Sequence, residues 1–155
     1  MAVFRPAVVI LAAVACTLES GAIPSVGSPG STPDLPLGEI ASVEVTMQDR
    51  RDPESFETVS STDAGEIEAL AAVVRRAEIS EDHKCRNEGT ILFRMRDGGV
   101  VELGMLAGHE EGYYQYRYYD SGEGYEVFRV DRNALFDALE TLGVRMPDED
   151  ESDQG

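Results

Sequence analysis

The sequence predicts an α+β domain: a small open antiparallel sheet of about five or six strands, in the order β-β-α-β-β-β-β-α, with two amphipathic helices on one face. Three observations carry this. Residues 90 to 130 hold four runs of alternating apolar and polar residues separated by glycine-containing turns. Two other stretches repeat their apolar residues at helical spacing. Each of those opens on an aspartate suited to capping a helix.

The first strand is expected over Ile40 to Met47, where Ala41, Val43, Val45 and Met47 share one side. Phe56 to Ser60 forms a weaker second strand beyond a polar loop. Asp63, with Glu66 three residues later, reads as a capping box, and Ile67, Leu70, Ala71 and Val74 make the apolar stripe of a helix running to about Ala77. Arg75 and Arg76 suit its negative end. Ile79 to Asn87 leads into the meander. There Thr90 to Arg96 and Val100 to Met105 pair through a two-residue Asp97-Gly98 turn. Tyr113 to Tyr119 and Tyr125 to Val130 follow, with a turn at residues 120 to 124. Asp131 caps the second helix, whose stripe is Leu135, Phe136, Leu139 and Leu142, and Gly143 stops it. The helices cover one sheet face, and the other face is expected to be wet.

The 155 residues fit one domain with appendages, and a hydrophobic content of 42% suffices for a modest core. The formal net charge of −17 repels phosphate backbones, so nucleic acid is excluded as a partner class. Residues 17 to 38 are rich in Ser, Gly and Pro and read as a tether with a span of roughly 25 Å. The expected organisation is therefore a targeting segment at 1–15, a tether at 16–38, a domain at 39–145 and an acidic, disordered tail at 146–155.

Arg5 and the apolar run Ala7 to Ala15 have the pattern of an export signal, too short to span a bilayer as a mature helix. Ala13-Val14-Ala15-Cys16 resembles the lipobox of bacterial lipoprotein precursors, a resemblance confined to the first 16 residues. It implies that Cys16 is diacylated, becomes the new N-terminus and anchors the protein to the membrane of the cell envelope. Ordinary secretory cleavage fits the same small residues, and leaves a secreted soluble protein. In an oxidising compartment an unmodified Cys16 has Cys85 as a possible disulfide partner; a lipidated Cys16 leaves Cys85 odd.

Two groups of residues stand out as sites. All six tyrosines fall between Tyr113 and Tyr125. With Tyr114, Tyr116 and Tyr118 beneath the helices, Tyr113, Gln115, Arg117 and Tyr119 face outward, with Arg94 and Arg96 expected on a neighbouring strand. Tyr and Arg are the composition favoured at recognition surfaces, although cross-strand stabilisation of an exposed sheet uses the same residues. His83, Cys85 and His109 form the second group, since alternation in an extended segment turns His83 and Cys85 the same way and zinc or copper suits the mixed donors. Asp82, Glu88, Glu110 and Glu111 add oxygen ligands nearby. A Cys85 thiolate activated by His83 lacks a recognisable third member, and no nucleophile elbow or phosphate loop is present. The expectation is an exported, lipid-anchored, non-catalytic binding domain for an envelope protein or small ligand. A metal-binding envelope protein is the alternative.

Overall fold

The structure is a computed structural model that describes residues 32–49, 52, 54–106, 110–119 and 124–146. The segment expected to direct export, Cys16, His109 and residues 147–155 lie outside the described residues, and with them the questions of lipidation and of a Cys16–Cys85 disulfide.

Among the described residues, seven strands form one antiparallel sheet. They are β1 (Ile40–Gln48), β2 (Phe56–Ser61), β3 (Glu78–Ile79), β4 (Asn87–Met95), β5 (Val100–Leu106), β6 (Tyr113–Tyr118) and β7 (Glu126–Asp131). The spatial order is β2-β1-β4-β5-β6-β7-β3. Helices α1 (Ala64–Arg75) and α2 (Arg132–Thr141) pack on each other and on one face. The expected architecture therefore stands, with one strand more than the sequence suggested. That strand, β3, has only two residues, too few to carry a period.

Alternation builds the core. Val43, Val45, Met47, Ile91, Phe93, Val101, Leu103, Met105 and Phe128 are buried on the face beneath the helices, against Leu70, Ala71, Leu135 and Leu139. Tyr114 and Tyr116 are buried there too, and Tyr118 is half-buried against the same cluster, as alternation predicts. The Tyr116 hydroxyl donates to the Val74 carbonyl at 3.0 Å, which fixes the last turn of α1 over β6. Burial raises the Tyr116 phenol pKa well above its ordinary value.

The helix starts follow the sequence closely. Asp63 Oδ1 accepts from the backbone N–H groups of Gly65 and Glu66. Glu66 reaches back through the Ser61 hydroxyl, which donates to Glu66 and accepts from the Asp63 N–H, so the capping box is closed by a relay. Asp131 accepts from Ala134 N–H, and Gly143, at φ 87°, follows the end of α2.

Three local expectations change. The β4–β5 connection is a three-residue loop, Arg96-Asp97-Gly98, closed by Met95 N–H donating to the Gly99 carbonyl. Gly98 takes the left-handed position at φ 91°, the usual ending of such a loop. Leu35 and Leu37, assigned to the tether on composition, are half-buried against the core, as is Met146 at the start of the tail.

The third change concerns the outer face. Because β3 lies at the sheet edge beside β7 and β4 lies four strands inward, residues 80–86 must cross over β7, β6 and β5. Four inter-strand gaps amount to about 19 Å, and the chain steps from Ile79 to Asn87 reach at most about 28 Å, so the strap makes the crossing without full extension and has room for the turn at Lys84. The helices already occupy the other face, and the strap takes the face expected to be wet. Part of that face is therefore covered.

Gly89 sits where β4 bulges against β5 and passes close to β1. A Cβ there would lie 2.5 Å from the Thr46 carbonyl oxygen and 2.6 Å from Met47 Sδ, whereas one on Gly104 meets only the flexible Asn87 amide at 3.3 Å. Gly89→Ala is expected to destabilise the domain by about 2 kcal/mol or more, and Gly104→Ala by less than about 1 kcal/mol, measured by urea unfolding.

Candidate functional site

Cross-strand register places Gly104, Arg117 and Val127 in one row of the outer face, and Leu106, Gln115 and Arg129 in the next. Leu106, Gln115 and Val127 are buried although no helix lies on their side. The strap meets Gln115 and Val127. Ser80 N–H donates to the Val127 carbonyl, extending the β3–β7 ladder by one bond at 2.8 Å. Gln115 Nε2 then donates to the Ser80 hydroxyl at 3.0 Å and to the Glu81 carbonyl at 3.4 Å.

Asp82 is the strap's principal fastening. Its carboxylate accepts from the Tyr125 hydroxyl, from the Lys84 N–H at 2.9 Å and from Arg117 Nη2 at 3.1 Å. These partners, the Tyr125 hydroxyl foremost, hold the Asp82 pKa below the ordinary carboxylate value. The same contact raises the Tyr125 phenol. The Arg117 guanidinium lies 4.5 Å from the centre of the Tyr125 ring and donates to the Tyr119 hydroxyl at 3.4 Å, while the Tyr119 and Tyr125 rings stand 5.7 Å apart.

A second cluster repeats the chemistry one row along. Arg129 donates through Nη1 to both Glu110 oxygens at 2.9 Å and through Nη2 to Glu78 at 3.0 Å, and its guanidinium lies 4.8 Å from the centre of the Tyr113 ring. Glu110 reaches it because the chain folds back at Gly112, at φ 78°. The outcome is a rim of three exposed tyrosines, Tyr113, Tyr119 and Tyr125, at 37%, 52% and 47% exposure, each in contact with an arginine held by carboxylates.

The sequence-derived face is thus regrouped. Tyr113 and Tyr119 face outward as expected. Gln115 also points outward but is only 2% exposed beneath the strap, and the Arg117 side chain is 16% exposed. Arg94 and Arg96 are exposed on and beyond β4, with Arg96 3.8 Å from Glu39, and β5 separates them from β6. They do not join the rim. Tyr125, Arg129, Asp82 and Glu110 do, and the alternation of Val127 with Arg129 along β7 was the available signal for the arginine.

The metal-ligand group is not assembled by what is described. His83 is exposed and Cys85 half-buried on the strap, and Cys85 forms no disulfide among the described residues. Lys84 between them takes φ 55°, which interrupts the alternation that would turn both the same way. Among the described residues no group of three or more His, Cys, Asp or Glu is arranged to hold a metal ion. His109 lies outside those residues.

No family model, curated protein or solved structure matches this chain.

Asp82 gives the strap a defined response to acid. Its carboxylate pKa is depressed in the folded state, so the fastening is fully present above the unfolded value of about 3.9 and is lost as pH falls through the lower folded value. Hydrogen exchange at the Lys84 amide is expected to show constant protection from neutrality to about pH 4 and decreasing protection below it. Asp82→Asn should remove that step and raise Lys84 exchange at neutral pH.

Proposed function

We propose that this chain is an exported bacterial envelope protein, anchored through a lipid on Cys16, whose non-catalytic domain uses the Tyr/Arg rim to bind an envelope protein or small ligand. The observation that carries the reading is the rim itself. Three exposed tyrosines stand on a sheet backed by a packed core, and salt-linked arginines hold their rings in place. Tyrosines restrained in this way lose little conformational entropy on binding, which is what makes Tyr and Arg effective anchors. The anchor rests on the lipobox resemblance around Cys16. No helix among the described residues is long and apolar enough to cross a membrane.

Two experiments test the two halves. Tyr113→Ser with Tyr119→Ser is expected to change unfolding free energy by less than about 1 kcal/mol, because both side chains are exposed, while abolishing crosslinking to the envelope partner. Unfolding of the double variant, or undiminished crosslinking, would defeat the binding reading. Growth with labelled palmitate is expected to label the wild-type chain and not Cys16→Ser, and the variant should move from the membrane to the soluble fraction. The rival reading, zinc or copper at His83, Cys85 and His109, is separated by native mass spectrometry, where it requires a one-to-one adduct lost in His83→Ala.

A further inference from the structure

The strap is held on the sheet as a peptide ligand would be. Gln115 donates to a hydroxyl and a backbone carbonyl, and Arg117 and Tyr125 take a carboxylate, all along the three consecutive residues Ser80, Glu81 and Asp82. Its hold is shallow. Of residues 81–86 only Cys85 is half-buried and the others are exposed, so little apolar area fastens the segment. Lys84 occupies a left-handed conformation at φ 55° that disfavours a lysine.

The fit is also incomplete. Gln115 Oε1 and Arg117 Nε are buried and have no hydrogen-bond partner. Leaving such atoms dry is costly, and either water or a better-matched segment would relieve them. Leu106 and Val127 flank these groups and would keep a replacement segment's backbone out of water.

We propose that the strap is an internal stand-in for the partner: the recess formed by Leu106, Gln115, Arg117 and Val127 takes an extended peptide bearing a carboxylate side chain, which displaces residues 80–86 and sets its carboxylate on Arg117. This rests on the rim being the recognition surface, and it names the ligand class and the regulation of that surface. The peptide backbone meets Gln115, which has one donor already shared with a carbonyl and one free acceptor for an N–H. The net charge of −17 disfavours a run of acidic residues, so the recess selects a single carboxylate placed opposite Arg117. The tethered strap competes at an effective concentration on the order of millimolar, so the resting state is closed.

The test measures fluorescence anisotropy of a labelled peptide with the sequence of residues 79–84 and Gln in place of Glu81, so that the aspartate is its one acidic side chain, titrated with the full chain. Asp82→Asn in the protein loosens the internal competitor and is expected to tighten peptide binding by at least about fivefold over wild type. Hydrogen exchange of residues 80–86 should rise as the peptide saturates. A peptide carrying Asn in place of its aspartate should not bind, and adding Arg117→Gln to the Asp82→Asn protein should remove binding. Should Arg117→Gln fail to fold, Arg117→Lys, which keeps the charge and loses the planar fork, decides the point by binding the peptide more weakly than Asp82→Asn alone. Equal affinity for wild type and Asp82→Asn would show that the strap is no competitor. Absence of binding to both at millimolar peptide, with both folded by thermal melt, would show that the recess is no peptide site. Either result overturns this proposal and leaves the rim to be judged by the tyrosine variants.

Discussion

The position of one two-residue strand governs the outer half of this molecule. β3 pairs with β7 at one edge of the sheet, while the next strand in sequence, β4, lies near the middle. Once that pairing is made, the chain has no route to β4 except across a sheet face, and the helices fill the inner one. The strap, the burial of Gln115 and the fastening of Asp82 to Arg117 all descend from it. The pairing itself is supported by the ion pair of Glu78 with Arg129, which in turn holds Tyr113. One arginine thus links the sheet edge to the tyrosine rim.

Most of what is decided within a few residues was legible in the sequence, the length of the β4–β5 loop excepted. The alternation in β1 and β4 to β7, the caps at Asp63 and Asp131 and the stripes of α1 and α2 each follow from local spacing, and together they imply a sheet with helices on one side. Glu78 and Ile79 carried no such pattern, and the edge they occupy is defined by a strand some fifty residues away. Gln115 shows the limit most clearly. Parity correctly turned it outward, yet its exposure depends on a segment that arrives from the far side of the sheet. The separation of Arg94 and Arg96 from β6 is different in kind, because a meander order already puts β5 between them. Composition also stopped the tether too late, since Leu35 and Leu37 amid prolines look like linker until a core is present for them to pack on.

The rim has a character that its charge total hides. The chain is strongly acidic, yet Arg117 and Arg129 sit between aromatic rings and carboxylates that neutralise them in place. In such a setting the arginines act as rigid spacers for the tyrosines as much as charges, so the binding proposed for this rim would depend on shape and on desolvation of the rings more than on long-range attraction.

The length of chain between β3 and its partner also sets an order of events. Glu78 and Arg129 are 51 residues apart in sequence, whereas the β4–β5 hairpin closes over three residues. Closing the longer loop costs more entropy, and its two-residue pairing returns little until β7 has docked on β6. The meander from β4 to β7 is therefore expected to form before the strap is laid down. A folding chain would then pass through a state in which the surface beneath the strap stands open before its own cover arrives.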